Sequence, residues 1–238
     1  MSKISAGSYD LNKWLHGGYD NDIITVIYGG SGAGKTNFCL LAAVSQAKKG
    51  KKVFLIDTEG GFSSERVKQI VGEPDKEEVD KVLENILLLK VTNFEEQKEA
   101  FRELLKNLRK DSKDEIGLII VDGMTILYRL DFAAARNSGE KEMQKINSEL
   151  VEQMKTLAEI ARKKEIPILI TNQVYRNFDD KENSMVGGDI LKYWGKCHIE
   201  LLHEKGKRVA ILRKHRSLRE SEMTFIIDNK GIRKRGWI

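Results

Sequence analysis

The chain is poor in residues that cross-link, kink or anchor. Its 238 residues include two cysteines and two prolines. Cys39 and Cys197 lie far apart and show neither metal-ligand nor redox spacing, so a disulfide scaffold is unsupported and a reducing cytosol fits. With so little proline and no Ser-rich stretch, nothing marks a flexible linker, and residues 1–238 read as one domain. No apolar run approaches the ~20 residues that span a bilayer. The start, MSKISAGSYDLNKW, lacks the apolar core of a signal peptide. The expectation is a cytoplasmic protein with no membrane partner. Negative charge is scarce only in the tail. From Lys192 to Ile238 there are 13 Lys+Arg against 5 Asp+Glu, whereas the first 191 residues hold 28 against 31. That asymmetry argues against a uniformly basic, histone-like protein. It leaves open a solvated surface or a face for a polyanion.

What is present is a core-forming pattern: 40% of residues are apolar. Short apolar runs at Ile23–Tyr28, Val53–Asp57, Ile86–Val91, Leu118–Asp122 and Ile166–Thr171 do not alternate with polar residues. Helical spacing fills Thr36–Lys49, Ser63–Val71, Phe94–Lys110 and Glu140–Lys164, with Ser63 placed as a cap. Such alternation predicts an α/β fold, a mainly parallel sheet covered by helices on both faces. The tail differs. His198–His203, Arg208–Leu212 and Thr224–Asp228, separated by turns at Lys205-Gly206 and Asn229-Lys230-Gly231, predict an antiparallel C-terminal extension.

Gly29-Gly30-Ser31-Gly32-Ala33-Gly34-Lys35-Thr36 matches G-x-x-x-x-G-K-[ST] in full, between a strand and a helix. Glycines let main-chain N–H groups turn inward toward phosphate oxygens, and the helix start adds its positive dipole end. Lys35 is placed for the β- and γ-phosphates, and the Thr36 hydroxyl for Mg²⁺. The plain alternative is a glycine-rich turn. Asp122 closes a buried strand, where open α/β sheets bind ligands, and suits a metal shell. Glu59 ends another strand and is a candidate to orient or deprotonate a water.

Taken with Ile56-Asp57-Thr58-Glu59-Gly60, Glu65-Arg66, the Asp122 strand, Thr171-Asn172-Gln173-Val174 and Gly187-Gly188-Asp189-Ile190-Leu191, this motif resembles the RecA/RadA recombinase ATPases over nearly the whole chain. The resemblance implies a RecA-like P-loop core with ATP and Mg²⁺ as cofactors. The nucleotide residues would be Gly29–Thr36 with Asn37 and Arg66, the last packing its plane on the adenine. Glu59, Lys35 and Gln173 would be catalytic, Gln173 sensing the γ-phosphate. Thr36 would bind the metal directly and Asp122 through water. DNA loops are implied at Tyr128–Lys141, with Arg129 and Arg136, and at Val174–Gly188, with Arg176. The partners implied are single- and double-stranded DNA, the main recombinase RadA and further copies of the chain, at the nucleoid.

Two departures accompany the resemblance. The chain begins at the ATPase core, without room for the N-terminal helix-hairpin-helix domain of longer members or their Phe-x-x-Ala docking segment. It also carries Lys214 and Arg216 where RadA-like proteins place an aspartate and a proline that cap a neighbour's ATP. For Lys214, His215 and Arg216 three readings stay open: DNA phosphates, a γ-phosphate across a subunit interface, or a solvated strand end. The resulting expectation is a DNA repair and recombination accessory protein with weak DNA-dependent ATPase activity. The alternatives are an autonomous strand-exchange ATPase and a KaiC-like signalling ATPase.

Overall fold

Apolar runs become strands, and the amphipathic stretches between them become helices. The computed structural model of the chain describes residues 2–72, 76–110, 115–176, 183–185 and 187–236; the side chains of 110, 175, 176 and 183–185 lie outside the description. In chain order, β1 (Lys3–Ile4), α1 (Tyr9–Trp14) and β2 (Tyr19–Asp20) precede β3 (Ile24–Gly29) and α2 (Lys35–Ala47). Then come β4 (Lys52–Asp57), α3 (Ser64–Val71), α4 (Lys76–Glu84), β5 (Ile86–Lys90), α5 (Phe94–Lys110), β6 (Ile116–Asp122), α6 (Ile126–Ala135), α7 (Glu140–Lys164) and β7 (Ile168–Arg176). The last part comprises β8 (Asn183–Met185), α8 (Gly188–Trp194), β9 (Cys197–Glu204), β10 (Lys207–Lys214), β11 (Ser221–Asp228) and β12 (Gly231–Lys234).

One sheet runs in the order β12-β11-β10-β9-β3-β7-β6-β4-β5, with β8 beside β7. Neighbours from β9 to β5 are parallel, while β10, β11 and β12 are antiparallel. The RecA-like α/β architecture and the antiparallel extension are therefore both present. The unbroken apolar runs hide a period of two. Val53, Leu55, Leu118 and Ile120 enter the core under α1 to α4, while Phe54, Ile56, Ile119 and Val121 enter the core under α5 to α8. Both faces of the sheet are apolar because both are covered.

Helix α2 is unusual in burying 10 of its 13 residues. The extension wraps one side of it: Phe38 meets Phe225 of β11 edge-on, with ring centroids 5.4 Å apart. Losing a buried aromatic here would cost about 3–5 kcal/mol. Both cysteines are buried and unbridged, and burial pushes the Cys197 thiol up to about 12.

Two expectations are corrected. Of Val174–Gly188, expected as a loop, residues 174–176 end β7 and 183–185 form β8, and the two pair antiparallel. Tyr128–Lys141 was expected as a loop, yet α6 occupies most of it, and only residues 136–139 connect it to α7. Leu127, Tyr128 and Ala135 face the core, and the Tyr128 ring packs on Phe132 one turn later and on Phe94 of α5. Tyr128 Oη donates to Asn147 Oδ1 at 2.6 Å, tying α6 to α7. Ser63 caps α3 as expected, its hydroxyl accepting from Arg66 N.

Candidate functional site

Parallel strands end at one edge of the sheet, and register decides what meets there. Asp57 of β4 stands opposite Asp122 of β6, and Gly29 of β3 opposite Gln173 of β7. The loop after β3 turns into α2 at Gly34, whose φ is +107°. A Cβ there would lie 2.8 Å from Ile227 Cδ1, so glycine is required for conformation and for space. Gly30 and Gly32 have no atom within 4 Å of where a Cβ would stand, leaving the cradle open. Lys35 is buried, its Nζ donating to Gly29 O at 3.1 Å and Gly30 O at 3.0 Å. Burial pulls the Lys35 ammonium below the ordinary lysine value, and Glu59 and Asp122 pull it back up.

Asp122 uses both oxygens. Oδ2 accepts from Thr36 Oγ1 at 2.8 Å, and Oδ1 accepts from Thr171 Oγ1 at 2.6 Å. Burial pushes its carboxyl up; the two hydroxyls hold it down. The corner is tight: a Cβ on Gly61 would sit 3.1 Å from Thr36 Oγ1 and 3.2 Å from Asp122 Oδ2. Among the described residues no three His, Cys, Asp or Glu side chains gather as a self-sufficient metal cage. A hydroxyl beside one carboxylate instead fits Mg²⁺, which keeps waters and takes its remaining ligands from substrate phosphates.

Asp57 organises the loop that follows it. Its Oδ1 accepts from Glu59 N at 3.2 Å and Gly61 N at 3.1 Å, and its Oδ2 accepts from Phe62 N at 3.0 Å. Sequence reasoning assigned Asp57 no role. The available signal was an Asp before a short Thr-Glu-Gly-Gly turn, where a carboxylate can bond main-chain N–H groups ahead of it. Glu59 is thereby projected outward and exposed, and Gln173 Nε2 donates to Glu59 Oε2 at 3.0 Å.

The Rad51 family model matches residues 1–235. A DNA repair and recombination protein RadB from Methanobrevibacter smithii is 40% identical over 228 residues, covering 93% of this chain and 92% of that protein. RadB from Methanococcus maripaludis is 40% identical over 225 residues, covering 93% and 96%. RadB from Methanocaldococcus jannaschii is 37% identical over 222 residues, covering 93% and 98%. The chain belongs to the Rad51 family, among its archaeal RadB members. Rad51-family proteins bind ATP.

The cavity suited to that ligand measures about 400 Å³ and is walled by Ser31, Gly32, Gly34, Lys35, Thr36 and Asn37, with Glu59, Arg208 and Ile227. Arg208 and Ile227, from β10 and β11, were not foreseen, because nothing local in the tail points to a loop some 180 residues earlier. Arg66 on α3 is held by Asn37 Oδ1, which accepts from its Nε at 2.8 Å, and by Gln69 Oε1, which accepts from its Nη1 at 2.9 Å. A guanidinium plane fixed in this way is suited to stack on a ring.

The residues expected at DNA separate into two groups. Arg129 lies on α6 and is exposed, sharing a small cavity with Glu59, Asn172 and Gln173. Arg136 is exposed at the end of the same helix. Arg176 ends β7; its side chain and residues 177–182 and 186 of the expected second loop lie outside the described residues. The tail residues have partners within the chain. Lys214 Nζ donates to Lys192 O and Gly195 O, each at 2.9 Å, where α8 leaves carbonyls without helical partners. Arg216 bonds Asp20 at 3.1 Å and forks onto Asp22. The His215 ring is buried, its Nδ1 accepting from Ser217 N and Leu218 N and its Nε2 3.5 Å from Asp20.

Proposed function

We propose that the chain is an ATP- and DNA-binding DNA repair and recombination protein, a weak DNA-dependent ATPase that assists a main recombinase. The observation carrying the nucleotide reading is Asp122 bonded between Thr36 and Thr171 beneath an open glycine cradle. The RadB names of its relatives carry the recombination reading. Gly29–Thr36 and Asn37 would hold the triphosphate and Arg66 the base. Thr36 would hold Mg²⁺ directly and Asp122 through water. Magnesium-bound ATP supplies, when bound, a γ-phosphoryl group open to in-line attack.

The chain's own residues do the rest. Lys35 exchanges its carbonyl contacts for phosphate oxygens, and burial strengthens the attraction. Asp57 fixes the turn that carries Glu59, so Glu59 reaches a water as base or orienter. Gln173 restrains the same carboxylate and belongs to the strand that leads toward the second expected DNA loop. Arg129 adjoins Glu59 and Gln173 in one small cavity, so an anion on α6 is felt where the water is activated. We assign DNA phosphates to Arg129, Arg136 and Arg176. Lys214, His215 and Arg216 are read as an internal brace, since DNA would have to displace their partners.

Turnover with and without single-stranded DNA tests this reading. Wild type should turn over slowly and respond to DNA. Glu59→Gln should lose the response while still binding ATP. Equal turnover in that variant, or a chain that binds no ATP, would overturn the assignment.

A further inference from the structure

Of the tail arginines, three pair with carboxylates, while Arg219 and Arg235 are exposed. Arg213 bonds Glu200 and Glu220, Arg216 bonds Asp20 and Asp22, and Arg233 bonds Asp228. Arg208 is neither paired, among the described residues, nor exposed. It lies on β10, in register with His203 of β9 and Phe225 of β11, and its side chain reaches the cavity wall facing Ser31, Gly32 and Gly34. Its Nε is screened from solvent yet has no hydrogen-bond partner. Among the described residues its guanidinium makes no hydrogen bond or ion pair. Glu59, the carboxylate in the same wall, is engaged by Gln173.

A guanidinium cannot relieve such a position by losing its proton. An acceptor has to come from outside the chain, and the wall it would meet is the phosphate cradle. We propose that Arg208 is a second cationic anchor for the phosphates of the bound nucleotide, reaching them from the antiparallel extension while Lys35 reaches them from the loop. The proposal rests on the ATP reading and deepens it. It gives the extension a direct part in nucleotide binding. Arginine suits this better than lysine, because its planar fork can bond two phosphate oxygens at once.

The test is titration of the full chain with fluorescent ATP and ADP in Mg²⁺, at low and high salt, for wild type, Arg208→Gln, Arg208→Lys and Lys35→Ala. Arg208→Gln should weaken ATP binding about 10-fold or more, as expected for losing a charge-assisted hydrogen bond. It should also flatten the salt dependence, while Arg208→Lys recovers part of the affinity. Without nucleotide, melting of Arg208→Gln should match or exceed that of wild type, because an unpaired charge has been removed. ATP affinity within about 2-fold of wild type would overturn the proposal. So would an affinity loss that comes with lower nucleotide-free melting and is not recovered by lysine. If wild type binds ATP and only Lys35→Ala loses it, the nucleotide reading stands and the Arg208 assignment falls. If wild type binds none, both fall.

Discussion

The two ends of the sheet treat charge in opposite ways. At the ends of β4 and β6, Asp57 and Asp122 are buried and satisfied by hydroxyls and main-chain N–H groups. No cation of the chain neutralises them by direct pairing among the described contacts. In the tail some of the cations meet carboxylates and carbonyls within the chain, as at Arg213, Lys214 and Arg216. A local charge balance thus says little about which charges are available. A neutral-looking region keeps two buried carboxylates without a cation beside them among the described contacts, and a basic region has several of its cations bonded internally.

The sharpest way to break this comparison is Lys35→Ala, which removes the buried ammonium on which the cradle depends. Nucleotide affinity should fall on the order of 100-fold in a fluorescence titration, the effect of truncating a buried, hydrogen-bonded charge. Retained affinity would move the nucleotide elsewhere.

Next comes Arg216→Ala, which leaves buried Asp20 with Lys3 at 3.5 Å and His215. Chemical denaturation should register a loss of about 1–3 kcal/mol. Its pH dependence has a definite sign. The hydrogen bond from Arg216 holds the Asp22 carboxyl below its ordinary range. That stabilisation is present above the unfolded carboxylate value and is lost as pH falls through the folded one. Acid should therefore narrow the gap between wild type and variant; a gap constant with pH would refute the pairing.

Asp122→Asn sharpens the contrast, because here the sign is reversed. Burial raises this carboxyl, so the fold favours its protonated form. Stability declines as pH rises from the ordinary carboxylate value of 3.8 through the raised one. Nucleotide-free Asp122→Asn should melt higher than wild type at neutral pH, with the difference vanishing in acid. A lower melting temperature at neutral pH would show that the charge itself stabilises the site.

The smallest expected effect at neutral pH belongs to His198. Burial, aided by Lys214, Lys192 and Lys196, lowers its imidazole from 6.5 to about 4. The fold excludes the protonated ring, so stability is lost as pH falls through that window. His198→Gln should flatten the melting curve between those values, and an unchanged slope would assign the acid sensitivity to other groups.

How much of this was legible in the sequence depends on the range of the interaction. The phosphate loop, the carboxylates at strand ends, Ser63 as a cap and the antiparallel tail follow from neighbours within a few residues. Glycine spacing, β-rich runs and a short polar side chain before a helix act locally. The elements that escaped notice are mostly brief: β1 and β2 have two residues each, and β8 has three. Helix α6 escaped because the resemblance implied a DNA loop at Tyr128–Lys141, whereas Tyr128, Phe132 and Phe94 pack together.

The sequence by itself determined the chemistry present: a glycine cradle with Lys35 and Thr36, carboxylates at strand ends, and cations concentrated after Lys192. Only the tertiary structure decided how those groups pair. Register put Asp57 beside Asp122, and the fold placed Arg216 on Asp22 across 194 residues and Arg208 against the phosphate loop. The physical reason is that a charge's availability depends on burial and on its partner. Both are set by contacts between distant segments, which local pattern does not encode.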